Sequence, residues 1–223
     1  MAATGHRRFL SALEPDAADE LRSRGIPRRY PRGTALFHER QLGDRVMVVL
    51  SGTVKLISVS EDGTEVLLAL RGAEDLLGEL GALDGRPRLA SAIALDDVEV
   101  LVMPAADFKS FLERHPRAAL VILEMLATRL RDADSKRVEF AAQDSMSRVA
   151  ARIVELSERF GEESDGAIRI DLPISQEELA GWTGCSRDSV VKALQSMRGL
   201  GWIDTQRRRI IVHDLNAVRQ RAG

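Results

Sequence analysis

Cysteine is almost absent from this sequence, which holds one, Cys185, among its 223 residues. A single thiol excludes a disulfide within the chain. It also excludes a metal or iron–sulfur site built from several cysteines of one chain. Such a cysteine content fits a reducing compartment.

Long apolar runs are lacking too. The longest stretches, such as Val46–Leu50 and Val98–Met103, fall far short of the roughly 20 residues needed to span a bilayer. No charged-then-apolar segment opens the sequence, so no secretory signal is predicted. We therefore expect a cytoplasmic protein without membrane contact. With 44% hydrophobic and 30% charged residues, it has enough apolar material for one large or two small globular domains.

Charge is distributed unevenly along the chain. The formal net charge is −2, but the segment from Gly181 to the end carries eight basic and three acidic residues, or +5, which leaves −7 for the rest. Neutralising phosphates requires local cations rather than a basic average. The pattern indicates a polyanionic partner for the C-terminal part alone.

An all-β barrel or jelly roll is predicted between about Arg28 and Met103, because short apolar runs alternate there with turn residues. The candidate strands are Val46–Leu50, Gly52–Val59, Glu65–Leu70, Leu89–Leu95 and Val98–Met103. The turns between them are Ser51-Gly52, Glu61-Asp62-Gly63, Arg71-Gly72 and Asp84-Gly85. Glycine supplies the positive φ that tight turns require, and the hairpin at Asp62-Gly63 has the clearest signal.

Helical periodicity replaces this pattern after Pro104. A short helix is predicted over Ala105–Arg114 and a long one from about Pro116 to Ala142. Apolar positions of the long helix recur at alternating spacings of four and three, which is an a/d seam. The helix would be about 40 Å long and overhang a small domain. We therefore expect a homodimer interface rather than packing on the chain's own barrel, through Leu123, Leu126, Leu130, Ala133 and Phe140.

The last third of the chain predicts a helix-turn-helix. An amphipathic helix from near Asp144 to Phe160, a polar loop and a strand over Ile168–Leu172 lead into it. Ser175 and Glu178 have the spacing of a capping box at the start of one helix. Gly184 supplies the left-handed exit of that helix.

A second helix, over Arg187–Leu200, follows with Ser186 as its cap. Beyond it, Trp202–Thr205 and Ile210–Val212 flank Gln206–Arg209 as a hairpin, or wing.

The start of the second helix carries long polar side chains suited to a DNA major groove. Arg187 and Lys192 can donate to guanine, and Asp188 can accept from cytosine. A solvated, salt-bridged helix face is the alternative interpretation. Contacts to the DNA backbone are expected from Ser175, Ser186, Ser189, Arg207, Arg208 and Arg209.

Two stretches, 174–180 (ISQEELA) and 184–190 (GCSRDSV), resemble the helix-turn-helix of the Crp/Fnr family of bacterial regulators. Gly78-Glu79-Leu80-Gly81 followed by Arg88 is similar to the phosphate-binding cassette of that family's cyclic-nucleotide domain. The resemblance covers nearly the whole chain. It implies an α+β protein with a jelly-roll sensor domain over 1–114, a dimerisation helix over 115–143 and a winged helix-turn-helix over 144–223. It also implies a homodimer on two-fold symmetric double-stranded DNA that recruits or blocks RNA polymerase.

The same resemblance implies an effector pocket formed by Gly78, Glu79, Leu80, Arg88, Leu89, Arg129, Ala133 and Asp134. In the cyclic-AMP-binding type a Ser or Thr hydroxyl follows the phosphate-binding Arg, whereas Leu89 stands here. Ala133 and Asp134 likewise replace a Thr-Ser or Thr-Asn pair that reaches the adenine. Glu79, Arg88 and Arg129 remain, and they could hold a ribose and phosphate or equally form a structural ion-pair network. Cyclic AMP, another small ligand and no ligand therefore stay open.

Other cofactors and activities of related proteins fit less well. One cysteine excludes the family's iron–sulfur sensor. His6, His38, His115 and His213 are scattered in the way of surface or capping residues, so neither a haem nor another metal site is expected. No nucleophile–base pair, catalytic carboxylate pair or phosphate loop indicates an enzyme. The alternative function is a cyclic-nucleotide-binding module that acts on a protein partner instead of DNA.

Overall fold

In the computed structural model, which describes residues 8–60 and 63–223, the chain divides into two compact units. The first runs to Ser58 and resumes over Leu68–Asp132. The second consists of residues 59–60, 63–67 and Ala133–Gly223. No helix in the described ranges is long and apolar enough to cross a membrane.

The first unit begins with two helices that the sequence patterns did not predict, α1 (Phe9–Ala12) and α2 (Pro15–Arg24). In α2, Glu20 accepts hydrogen bonds from Arg114 at 2.6 Å and from His115 Nε2 at 2.7 Å. The hydrogen bond with His115, followed by that with Arg114, lowers the pKa of Glu20 to about 2. These bonds tie α2 to residues far along the chain.

Eight strands follow, and the all-β expectation is confirmed. They are β1 (Ile26–Tyr30), β2 (Ala35–Phe37), β3 (Arg45–Ser51), β4 (Val54–Val59), β5 (Glu65–Arg71), β6 (Leu76–Leu77), β7 (Ser91–Ala94) and β8 (Val98–Pro104). All of them lie in the first unit except for the last residue of β4 and the first three of β5. They make two four-stranded sheets of order β1-β8-β3-β6 and β2-β7-β4-β5, in which all recorded pairs are antiparallel. Alternate residues of β3 fill two cores, Val46 and Val48 on one face and Met47 and Val49 on the other.

Several strand predictions need correction. The strand expected over Leu89–Leu95 is limited to β7, and Leu89 itself is 70% exposed. β1, β2 and β6 were missed. The hairpin expected at Asp62-Gly63 includes positions that lie outside the described residues.

Three helices complete the path of the first unit: α3 (Glu79–Asp84), α4 (Ala105–Arg114) and α5 (Pro116–Ala142), which ends in the second unit. The bounds of α4 and α5 agree with the sequence prediction. Ala118, Ile122 and Met125 of α5 are buried in the core that contains Phe108 and Phe111 of α4. The early part of α5 therefore packs on the chain's own core through one face only.

The second unit is a winged helix. Its elements are α6 (Ser145–Phe160), β9 (Gly161–Ser164), β10 (Ala167–Ile170), α7 (Gln176–Thr183), α8 (Arg187–Gly199), β11 (Ile203–Gln206), β12 (Arg209–Val212) and α9 (Leu215–Ala222). The four strands form a sheet of order β11-β12-β10-β9. Val149, Ile153 and Leu156 of α6 are almost fully buried, so this amphipathic helix supplies much of the apolar core.

The sequence misjudged four features of this unit. The loop expected after Phe160 contains β9, which forms because its backbone pairs with β10 although its residues are polar. The following strand ends at Ile170 instead of Leu172. Both wing strands reach one residue further into the predicted turn, β11 also starts one residue later than predicted, and α9 was not predicted.

Candidate DNA-binding face and effector pocket

The first helix of the helix-turn-helix, α7, is capped at both ends by its own sequence. Ser175 Oγ accepts from the Glu178 backbone N–H at 3.1 Å, while Glu178 Oε2 accepts from the Ser175 N–H at 2.8 Å, a complete capping box. Gly184 ends the helix with φ 60°, and its N–H donates to the Ala180 carbonyl. The three-residue turn to α8 is thereby fixed at both sides.

The start of α8 presents the three predicted base-reading side chains to solvent. Ser186 Oγ accepts from the Ser189 N–H at 3.2 Å and caps the helix. Arg187, Asp188 and Lys192 are exposed, and none forms an ion pair with any residue that the structure describes. The described structure therefore shows an exposed polar face without ion pairs, which fits both base reading and the solvated surface considered as the alternative.

Two of the three arginines of the wing are exposed and form no ion pair within the described residues. β11 and β12 are joined by a two-residue turn, Arg207-Arg208, because Gln206 and Arg209 pair in the sheet. Arg208 has φ 63°, and both turn arginines are exposed without an ion pair within the described ranges. Arg209 differs, since its guanidinium contacts Asp171.

The cap hydroxyls are also engaged within the chain. Ser175 bonds to Glu178, and the hydroxyls of Ser186 and Ser189 lie 2.9 Å apart. A phosphate at Ser186 or Ser189 would have to share these groups with the helix cap.

A buried guanidinium without a carboxylate partner forms the centre of the candidate effector pocket. Arg88 is 5% exposed and donates to the carbonyls of Gly78 at 2.6 Å and Arg45 at 2.5 Å. Its carbon lies 4.5 Å from the centre of the Phe37 ring, and its buried Nε has no hydrogen-bond partner among the described residues. Burial lowers the pKa of Arg88, with Asp44 opposing the shift.

The carboxylate that the sequence placed near Arg88 is occupied elsewhere. Glu79 Oε1 lies 2.5 Å from Arg129 Nη1, and Arg129 Nη2 donates to the Leu76 carbonyl at 3.0 Å. Glu79 is 4% exposed, so this is a buried ion pair. Because the charges of Glu79 and Arg129 neutralise each other, the positive charge of Arg88 remains available to attract an anion.

These groups surround a cavity of about 80 Å³ in the first unit. The predicted pocket residues that line it are Gly78, Glu79, Leu80, Arg88, Leu89 and Arg129. The rest of the lining consists of Phe37, three leucines of the two sheets, Gly81 and Ala90. At Gly78, φ is 76° and an added Cβ would lie 2.2 Å from Arg88 Nη1, so glycine is required there. Phe37 and the Arg45 carbonyl are parts of the site that sequence reasoning missed. Their contacts with Arg88 depend on strand packing.

Two residues expected at the pocket, Ala133 and Asp134, are not among those lining this cavity. Both are exposed on α5 in the second unit, and Asp134 lies 3.8 Å from Arg137. Across the described residues, no group of three or more His, Cys, Asp or Glu side chains could hold a metal ion.

The predicted dimer residues differ in exposure. Leu123 and Leu130 are 62% and 64% exposed, whereas Leu126 is half-buried and packs against the core of the first unit. Leu120, which the sequence analysis did not include, is also exposed on the same face. Phe140 is 47% exposed and lies 5.7 Å from the guanidinium of Arg148.

Comparisons with known proteins match both units. Residues 27–115 fit the family model of the cyclic nucleotide-binding domain, and residues 147–221 fit that of the Crp-like helix-turn-helix domain. The chain is 33% identical over 214 residues to the CRP-like cAMP-activated global transcriptional regulator of Mycobacterium tuberculosis, with 96% of each chain covered.

Solved structures share the fold. A transcriptional regulator of the CRP/FNR family from Thermus thermophilus matches with a TM-score of 0.70 at 26% identity, over 88% of this chain and 98% of that one. The c-di-GMP-responsive global regulator CLP of Xanthomonas campestris matches with a TM-score of 0.77 at 22% identity, over 90% and 99%.

Proposed function

Because the chain belongs to the Crp/Fnr family of transcription regulators and has its helix-turn-helix DNA-binding domain, we propose that it acts as a homodimer on a palindromic DNA site. In this proposal residues 1–114 sense a ligand, 115–143 form the dimer contact and 144–223 bind DNA. Its place of action is the cytoplasm, and its protein partner is RNA polymerase.

One observation carries the DNA-binding part of the proposal: three polar side chains stand unpaired at the start of a rigidly capped helix. Arg187 and Lys192 can each donate to guanine O6 or N7, and Asp188 can accept from cytosine N4. Because both ends of the turn before α8 are capped, these groups meet the groove without further ordering.

The wing supplies contacts that do not depend on sequence. Arg207 and Arg208 have no carboxylate partner in the described structure, so a DNA phosphate can take that place. Arg209, already held by Asp171, is expected to contribute less.

The exposed apolar stripe of α5 supports the homodimer. Leu120, Leu123 and Leu130 recur on one helix face, each more than half exposed. Contiguous exposed leucines are costly in water and mark association surfaces. A second copy of the same helix buries them as a two-stranded coiled coil.

The sensor ligand is proposed to be an anion held by Arg88. Its unpaired Nε, its burial and the glycine at 78 fit a phosphate group. The cavity is smaller than the roughly 300 Å³ of common small-molecule pockets, so a complete cyclic nucleotide requires it to widen. Relatives are named for cAMP or c-di-GMP, and Leu89 offers no hydroxyl to a phosphate.

The test is selection of bound sequences from a randomised duplex pool at fixed salt, with and without cyclic AMP. We expect an enriched palindrome whose half-sites lie about one helical turn, roughly 34 Å, apart. No enrichment in either condition, with protein-partner binding retained, would favour the module that acts on a protein. Enrichment that Arg88→Gln leaves responsive to cyclic AMP would refute the assigned pocket.

Variants of α8 and of the wing separate contacts that read bases from contacts that only supply charge. Arg187→Ala is expected to cost about 1–3 kcal/mol of binding and to relax specificity at one base pair. Arg198→Ala removes the same charge from the exposed end of α8 and is expected to leave specificity unchanged. Arg208→Ala, in the wing, should weaken binding to all DNA sequences alike and reduce the slope of log affinity against log salt concentration by about one.

A further inference from the structure

A second and larger cavity, of about 310 Å³, lies within the winged helix. Its floor is formed by aliphatic side chains from α6, β10, α7, α8 and β12 and from the segment between β10 and α7: Leu156, Ile170, Leu172, Leu179, Leu194 and Ile210. Its volume is in the range of cavities that hold small ligands. The proposed DNA contacts and the sensor pocket leave this cavity unexplained.

The lining selects for an aliphatic ligand. Among the described residues that line it there is no aromatic ring, so a purine or another flat ring has no stacking partner. Leucine and isoleucine side chains instead offer an apolar wall whose shape suits methylene groups. Ile174 at the edge and Ile210 of the floor remain half-buried, and covering them removes apolar surface from water.

The rim selects for a negative charge. It contains Arg207, Arg208 and Arg209, and no Asp or Glu is among the described lining residues. Asp171 already neutralises Arg209, whereas the two turn arginines are exposed and form no ion pair in the described structure. A carboxylate at this rim therefore meets two free guanidiniums, while Asp171, the carboxylate that contacts Arg209, is already paired with Arg209 and Arg169.

We infer that this cavity binds an amphipathic anion, namely an aliphatic chain that ends in a single carboxylate, with the chain on the leucine floor and the head group on the turn arginines. Resting on the proposed function, the inference adds a second form of control. The same arginines are assigned to DNA phosphates, so a carboxylate there competes with DNA. Such a ligand lowers DNA affinity without using the sensor domain.

Decanoate is the probe, because it joins an apolar chain to one carboxylate. Isothermal titration calorimetry of the full chain, without DNA, is expected to give saturable binding of one decanoate per protomer. Sodium acetate, which has the head group alone, and 1-decanol, which has the chain alone, are each expected to bind at least about tenfold more weakly. Absence of saturable decanoate binding at submicellar concentration overturns the inference.

Variants locate the site. Ile174→Trp fills the cavity from its edge and is expected to abolish binding; Ile174→Phe is the smaller replacement if the first fails to fold. Arg207→Ala combined with Arg208→Ala is expected to weaken binding by about tenfold. Arg198→Ala, outside the lining, serves as the charge-matched control and is expected to bind as wild type. Decanoate binding that a folded Ile174 variant retains overturns the assignment.

Measuring DNA affinity with and without decanoate distinguishes failure of this inference from failure of the proposed function. Decanoate is expected to raise the dissociation constant of the selected duplex for wild type but not for Ile174→Trp. If wild type binds no DNA even without decanoate, the proposed function fails while calorimetry still decides the cavity. If DNA binds but saturating decanoate leaves its affinity unchanged, the competition is refuted.

Discussion

A buried arginine joins the end of α5 to the helix-turn-helix, and its removal is the sharpest test of how the second unit is held together. The Arg152 side chain is 6% exposed, with Nη2 2.6 Å from Glu139 Oε2 and Nη1 2.9 Å from Glu155 Oε2. Lys136 Nζ lies 3.5 Å from the same Glu155 oxygen. Lys136 and Arg152 also lie over the Trp182 ring of α7, at 5.4 and 5.7 Å.

Arg152→Met keeps an unbranched side chain but removes the charge. Breaking a buried ion pair from one side costs about 3–5 kcal/mol. The two carboxylates are 20% and 23% exposed, and Glu155 keeps Lys136, so the lower end applies, about 3 kcal/mol. For a chain of this size that is a fall in Tm of roughly 6–12 °C.

Urea unfolding at fixed protein concentration measures this loss, because dimerisation makes apparent stability depend on concentration. Arg198→Met, on an exposed position of α8, is the matched control and is expected to change stability by less than about 0.5 kcal/mol. In the double variant with Glu139→Gln, the loss should fall short of the sum of the single losses by about 1 kcal/mol or more. A loss below about 1 kcal/mol for Arg152→Met, or strict additivity, would refute the network.

Three further changes test other parts of the structure. Since the folded-state pKa of Glu20 is about 2, below its ordinary value, its stabilisation is present at neutral pH and is lost on acidification. The gap in urea midpoint between wild type and Glu20→Gln should therefore close between about pH 4.3 and pH 2, and a constant gap would contradict the assignment. Gly184→Ala should lower the free energy of unfolding by about 1 kcal/mol through left-handed backbone strain. No steric clash with the described residues adds to this loss, because the nearest atoms to an added Cβ are 3.6 Å away. Gly199→Ala, which meets nothing within 4 Å and has no positive φ, should be neutral or stabilising. Leu130→Glu should shift sedimentation at micromolar concentration from dimer to monomer, while Leu42→Glu, at a still more exposed leucine outside α5, should not.

The sequence predicted the elements whose signals are local. The bounds of α4 and α5 follow from prolines and periodic apolar residues, and the cap at Ser175 is formed by residues three apart. β9 and β1 were missed because their residues carry no apolar alternation. β1 contains Pro27 and two arginines and pairs with β8, some seventy residues away in the chain. A strand stabilised by a distant partner leaves little trace in its own sequence.

In the candidate effector pocket, too, the sequence identified the residue types but not which of them pair with each other. Sequence reasoning collected Glu79, Arg88 and Arg129 but left open whether they form an ion-pair network or a ligand site. The structure separates them: Glu79 and Arg129 satisfy each other, while Arg88 is buried on two carbonyls. A buried guanidinium without a counter-ion costs free energy unless an anion joins it. A bound anion would therefore stabilise this conformation of the first unit, and we expect the proposed ligand response to begin with that differential stabilisation.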